Sequence, residues 1–336
     1  MMNETISFIG LEAFILALGS LGLGMVLLIR GGNWTIDAAI FVARRIGVSP
    51  ILVGFTIVAF GTSLPELIVS INANMNGLPG IAIGNVLGSN IANILFVIGT
   101  TAIITKIVAD PKEFRFDLMT MMLATCFLAG LMLYGVITQL VGVLMLVALV
   151  ALTFWQYRKA IKSDAPIPPE VDEAEDVFKS LKPAIFFLII GLVFIALGAE
   201  FLVRGAKVTA GIIGVPDAVI GLSIIAIGTS LPELSTCLIA AARKQTGLIL
   251  GNIIGSNFFN IMMIIGATAA FKTINMADSA PQLVTIDIWV TLAISLIFTL
   301  ILLFYKKIGR KMGIVFLASY VFYIVAIFGL YLMDKG

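Results

Sequence analysis

"GTSLPE", Gly61 to Glu66, sets a proline and a carboxylate inside an apolar run, and the chain repeats it letter for letter from Gly228 to Glu233. The flanks repeat with it. "VGFTIVAFGTSLPELIVSINANMNGLPGIAIGNVLGSNIANILFVIG" from Val53 and "IGLSIIAIGTSLPELSTCLIAAARKQTGLILGNIIGSNFFNIMMIIG" from Ile220 align without a gap at an offset of 167 (233 minus 66). The same offset carries Gly54 to Gly221, Ser89 to Ser256, Asn93 to Asn260, Gly99 to Gly266 and, upstream, Gly24 to Gly191. A match of this length is a duplicated unit, not a chance motif.

The 336 residues are 60% hydrophobic and 12% charged, with strongly positive mean hydropathy, which excludes a soluble domain of this length and implies a membrane protein. Apolar runs able to cross a bilayer of about 30 Å lie near 10–30, 50–74, 80–103, 117–135, 138–157, 184–213, 217–242, 247–271, 284–305 and 313–332. These give ten helices in two sets of five, residues 1–155 and 184–336. Five is odd, so the second set enters the membrane from the opposite side and the repeats are inverted. The expected fold is an all-α polytopic membrane protein, with helices 2, 3, 7 and 8 interrupted around an ion site at the midplane. Inverted repeats with interrupted helices at matching positions mark secondary transporters. A duplicated bundle that merely packs well accounts for the glycines, but not for two glutamates at membrane depth.

Residues 156–183, rich in proline and mixed charge, read as a solvated linker joining the halves, its acids Glu170, Asp172, Glu173, Glu175 and Asp176 lacking the spacing of a calcium-binding loop. With the N-terminus outside, sixteen Lys and Arg residues fall in inward loops, among them Arg44, Arg45, Arg158, Arg243 and Lys306, and only Lys272 and Lys335 face out. The positive-inside rule therefore predicts both termini on the extracytoplasmic side. Arg30, Arg204 and Lys207 fall within the long first and sixth helices. The N-terminus lacks the basic region and cleavage site of a signal peptide, so the first run is expected to stay. Cys126 and Cys237 sit in apolar spans of different halves, which predicts two core thiols and no disulfide framework. Glu200 and Arg204, four apart, predict an intrahelical pair; Asp37 holds Arg204's position in the first copy, and Glu12 reads as a residue near the outer surface.

Within "GTSLPE", Pro65 has no amide hydrogen, so the carbonyl of Gly61 loses its helical partner, and Gly61 eases unwinding. Freed carbonyls at membrane depth need another partner, and a bound cation is one. Thr62 and Ser63 add hydroxyls and Glu66 adds charge; Thr229, Ser230 and Glu233 do the same from the opposite direction. The second motif, "GNVLGSNIAN" at Gly84–Asn93, returns as "GNIIGSNFFN" at Gly251–Asn260. Ser89 and Asn93 lie one turn apart on a helical face, as do Ser256 and Asn260, while Asn85, Asn90, Asn252 and Asn257 read as residues that hydrogen-bond neighbouring helices. With no histidine and no clustered cysteine, soft and borderline metals have no evident site. Oxygen donors suit hard cations, and calcium takes about 6 to 8 oxygens; two glutamates match its charge.

"GTSLPE" with "GNxxGSNxxN", present twice in a ten-helix inverted repeat, resembles the sodium/calcium exchanger family of the calcium:cation antiporter superfamily, particularly its prokaryotic members. The likeness covers nearly the whole chain. It implies a carrier in a prokaryotic inner membrane, not an enzyme, with no cofactor and no nucleic-acid partner, exchanging one calcium for about three sodium ions at four clustered sites. Carried onto matching positions, it implies that Glu66 and Glu233 are shared carboxylates and that backbone oxygens of Thr62 and Thr229 complete the calcium site. Ser63, Ser230, Ser89 and Ser256, with the carbonyls of Ala59 and Ala226, are implied for the flanking sodium sites, and Asn93 and Asn260 for the central position. Some relatives, potassium-dependent exchangers included, carry an aspartate where this chain has Asn260, which argues against potassium co-transport. The rivals are a calcium/proton antiporter and, in another class, a passive cation channel, whose pore loops more naturally repeat around an axis normal to the membrane.

Overall fold

The computed structural model describes residues 2–162, 177–212, 226–279 and 281–335. They form the expected helices: α1 (Met2–Ile46), α2 in two halves (Pro50–Thr62 and Leu64–Met75), α3 (Pro79–Ile104), α4 (Pro111–Tyr134) and α5 (Gln139–Lys162). The second set is α6 (Leu181–Ile212), α7 (Ala226–Thr229 and Leu231–Ala242), α8 (Thr246–Phe271), α9 (Leu283–Tyr305) and α10 (Arg310–Lys335). The first part of α7, with Gly221, and the linker acids Glu170, Asp172, Glu173, Glu175 and Asp176 lie outside the described residues.

The predicted interruptions take two forms. Proline at the second position of each second half breaks α2 at Ser63 and α7 at Ser230, whose backbones (φ −86°, ψ 1° and φ −92°, ψ 4°) depart from helical values, and the halves of α2 meet at a 45° bend close to the middle of the span. In α3 and α8 the axis continues, but one π turn is inserted, beginning at Asn93 (Asn93–Ile98) and at Asn260 (Asn260–Ile265). Such single π turns often mark functional positions.

Two short antiparallel ribbons display the inverted symmetry directly. β1 (Ile107–Val108), after α3, pairs with β4 (Lys307–Ile308), before α10; β2 (Val136–Ile137), after α4, pairs with β3 (Ile274–Asn275), after α8. β1 maps onto β3 at the offset of 167 (274 minus 107), and β2 maps onto β4 at 171 (307 minus 136). One ribbon is thus the image of the other at the opposite end of the molecule, and four extra residues enter the second copy between β3 and β4.

α8 is wholly enclosed and α3 largely so, while α1 and α10 are mostly open to lipid. Enclosure follows from glycine: a Cβ on Gly251 or Gly255 would strike the backbone of Ile51 or Phe55 in α2, and Phe55 stacks on Phe258 at 5.6 Å between ring centres. At 45 residues α1 is about 68 Å long, far more than a perpendicular crossing needs. It packs antiparallel on α6 through glycines seven apart, Gly24 against Gly198 and Gly31 against Gly191. Since Gly24 maps to Gly191 and Gly31 to Gly198, this crossing obeys the same two-fold relation. The expectation of two core thiols holds for Cys237 only: both cysteines are free, and Cys126 is exposed on the outward face of α4, where a small apolar side chain costs nothing against lipid.

Candidate functional site

The breaks in α2 and α7 put Glu66 and Glu233 in the first turn of a new half-helix, at its positive end, with both residues buried to 1% exposure. They come together: the Glu66 carboxyl feels the charge of Glu233, and the hydroxyls of Thr62 and Ser256 lie near Glu233 without reaching hydrogen-bond distance. Thr62 Oγ1 lies 3.4 Å from Ser256 Oγ and 3.5 Å from Asn252 Oδ1, so the break of one repeat abuts the asparagine-rich helix of the other. Among the described residues no Lys or Arg pairs with either carboxylate; Arg204 bonds Glu200 on its own helix, as expected from the spacing, and Arg243 bonds Asp37.

What distinguishes this cluster is its unmet demand. Ser63 Oγ, Glu66 Oε2, Ser89 Oγ and Asn93 Oδ1 from the first repeat, with Ser230 Oγ, both Glu233 carboxylate oxygens and Asn260 Oδ1 from the second, are buried with no hydrogen-bond partner among the described residues. Each such atom costs about 1–3 kcal/mol when left unsatisfied, and a folded protein seldom retains them without a ligand, ion or water to compensate. All of them are oxygens. Three of the four kinds occur as two-fold pairs, and the fourth, Ser89, has its counterpart Ser256 engaged by Thr62. Ala59's carbonyl accepts from Ser63 N at 3.1 Å and from Thr62 Oγ1 at 3.3 Å, and Ala226 and Thr229 begin and end the turn before the Ser230 break.

A family of sodium/calcium exchanger proteins matches residues 16–158 and 183–329, one stretch per repeat. The chain belongs to the sodium/calcium exchanger family. It is similar to an uncharacterized membrane protein of Methanocaldococcus jannaschii, 37% identical over 320 residues (93% of this chain and 98% of the relative). The Escherichia coli inner membrane protein YrbG is 30% identical over 327 residues (94% and 98%). The solved sodium/calcium exchanger of Methanococcus jannaschii superposes with a TM-score of 0.79 at 35% identity, over 93% of this chain and 98% of that one.

Around the orphan oxygens of this exchanger fold lies a shell of asparagines. Asn85 Nδ2 donates to the backbone oxygen of Glu66 (3.2 Å) and to Ser70 Oγ (3.0 Å). Its counterpart Asn252 donates to Thr236 Oγ1 (3.0 Å), which in turn bonds the backbone oxygen of Glu233 (2.9 Å), and to Cys237 Sγ, Ser70's counterpart, at 3.7 Å. Asn90 and Asn257 clasp across the repeats, each Nδ2 on the other's backbone carbonyl at 3.3 Å. Asn93 Nδ2 donates to Asn257 Oδ1 (3.1 Å) and Asn260 Nδ2 to Asn90 Oδ1 (3.0 Å). The first of these roles was legible in the repeated "GN" and "GSN" letters; the crossing between repeats was not, because a sequence does not state which helix faces which. The contact of Arg243 (3.0 Å to Asp37, 3.3 Å to Asn33), tying α1 to the end of α7, was likewise unreadable.

Proposed function

We propose that this chain is a secondary antiporter exchanging calcium for sodium, one for about three, by alternating access. The observation carrying this reading is the cluster of buried acceptor oxygens around two carboxylates that no Lys or Arg among the described residues neutralises. The donor set is all oxygen, the chemistry of hard cations, and two carboxylates balance one divalent ion or several monovalent ones. Glu66 and Glu233 are shared ligands; the backbone oxygens of Thr62 and Thr229 complete the calcium position. Ser63, Ser89, Ser230 and Ser256, with the carbonyls of Ala59 and Ala226, form the flanking sodium positions, and Asn93 and Asn260 the centre. A doubly negative, empty site costs too much to enclose in hydrocarbon, so the cluster changes sides only when loaded, and exchange follows from that constraint. Residues 1–155 and 184–336 act as the two halves, with both termini extracytoplasmic in a prokaryotic cell membrane, and α1 with α6 moves against the other eight helices.

Sodium-loaded proteoliposomes should take up radioactive calcium when diluted into sodium-free buffer, and Glu66→Gln or Glu233→Gln should abolish that uptake. Uptake driven by a pH gradient alone would replace sodium by protons; unaltered uptake in both variants would dismiss the site.

A further inference from the structure

We infer that Asn90 and Asn257, which need not touch an ion, are positioning residues that fix the amide orientation of Asn260 and Asn93 and so present two neutral oxygens at the centre of the site. The inference rests on the proposed ion site and deepens it.

The argument is one of donors and acceptors. A side-chain amide is nearly symmetric in shape, so something must decide which arm faces a cation: its oxygen binds one and its N–H repels one. A backbone carbonyl can only accept. Asn90 reaches the carbonyl of Asn257 and Asn257 that of Asn90, each at 3.3 Å, so each must turn its Nδ2 to that carbonyl. Their Oδ1 atoms are thereby committed to face the other way, where only a donor satisfies them. Asn260 and Asn93 supply those donors, Nδ2 to Oδ1 at 3.0 Å and 3.1 Å. With their Nδ2 arms spent, Asn93 and Asn260 turn Oδ1 to the interior, and those two oxygens are among the buried atoms left without a partner. All four residues are buried to 1% exposure, so no solvent competes for these choices.

The relay crosses between the repeats in both directions: α8 orients the amide of α3, and α3 that of α8. The π turns begin at Asn93 and Asn260 themselves, the point where each helix departs from regular geometry. The centre thus offers acceptors without ionisable groups, and its charge is left to Glu66 and Glu233.

A positioning role predicts a coupling that a packing role does not. In proteoliposomes, Asn90→Ala should raise the half-saturating calcium and sodium concentrations several-fold, toward about tenfold, the scale of one orienting hydrogen bond, with the maximal rate kept within about twofold. Asn260→Ala alone, which removes the presented oxygen itself, should raise both concentrations at least as much and lower the maximal rate as well. The double variant should be no worse than Asn260→Ala, because Asn90 then has no amide to orient. Asn257→Ala with Asn93→Ala forms a mirror cycle, which reads the same relay in the other direction where one variant folds poorly. Additive losses within a cycle, or half-saturation unmoved by Asn90→Ala and Asn257→Ala, would overturn the relay. Glu66→Gln separates this from the parent reading: if it abolishes exchange while the cycles are additive, only the relay fails, whereas exchange that survives loss of both glutamates removes the site itself.

Discussion

The crossing of α1 and α6 makes a prediction whose sign reverses over two residues. A Cβ placed on Gly24 would lie 2.7 Å from Gly198 O, 2.8 Å from Leu202 N and 2.9 Å from Leu202 Cγ, whereas one on Gly22 would meet nothing within 4 Å. Ordinary contact begins near 3.4 Å, so Gly24→Ala must drive the helices apart by about 0.7 Å, against backbone atoms that cannot swing aside. Parting them there also loosens the symmetric contact of Gly31 with Gly191, because both lie on stiff helices. Overpacking of this kind costs about 1–3 kcal/mol. Gly22→Ala gains helix propensity, up to about 1 kcal/mol, without a collision. Thermal unfolding in detergent should show Gly24→Ala melting about 2–6 °C below the parent, using the scale of roughly 2 °C per kcal/mol for a chain this large, and Gly22→Ala at or above it. Equal losses in both variants, or a Gly24→Ala as stable as the parent, would refute the close approach.

The Arg243–Asp37 contact gives a second measurement. Arg243 is half exposed and Asp37 mostly covered, so each single alanine should cost about 1 kcal/mol and a double-mutant cycle should return a coupling of about 0.5–1 kcal/mol; zero coupling would mean that the pair carries no load. Cys237→Ser installs in the second repeat the Ser70–Asn85 arrangement of the first. It should keep stability within about 1 kcal/mol of the parent and exchange within about twofold, and a larger loss in thermal stability or calcium uptake would show that the larger sulfur fills space a hydroxyl cannot.

Much of this architecture was legible because the membrane restricts the options. Backbone polar groups in hydrocarbon must be paired, so an apolar run of twenty residues becomes a helix, and a proline within it becomes a break: Pro65 and Pro232 announce Ser63 and Ser230. The duplication, read with odd helix number, announces inversion. Other features depend on side chains meeting across the bundle. The π turns at Asn93 and Asn260 leave no local letter, since Asn-Ile with either neighbour is an ordinary helix sequence. Cys126 was placed inside because hydrophobicity points to lipid and to core alike; only packing distinguishes them. α1 exceeds its apolar run of 10–30 because Asn33 and Asp37, polar by letter, lie where Arg243 at the end of α7 takes them up.

The symmetry is kept unevenly, and the unevenness has a physical sense. Among the proposed ligands, every carboxylate, hydroxyl and amide in the first repeat has its counterpart in the second, down to the crossed asparagine bonds of nearly equal length. A ligand cluster that serves two oppositely directed openings gains from this, because neither opening then sees a weaker set of oxygens. Toward the ends the match lapses. Asn33, Asp37 and Arg243 correspond to Glu200, Arg204 and Asn76 at the offset of 167. At one end the three join α1 to α7; at the other, Arg204 bonds Glu200 within α6, and Asn76 bonds the carbonyl of Asn72 within α2 (2.8 Å). Separating the helices therefore breaks an ion pair at one end of the molecule and none of these bonds at the other. Two arrangements related by the two-fold axis at the proposed ion site are thus unequal in energy at the ends, by about the 1 kcal/mol that a partly exposed pair supplies, enough to favour one about fivefold. In the proposed exchange, the matched ligands serve both openings alike, and the unequal ends bias which opening is favoured.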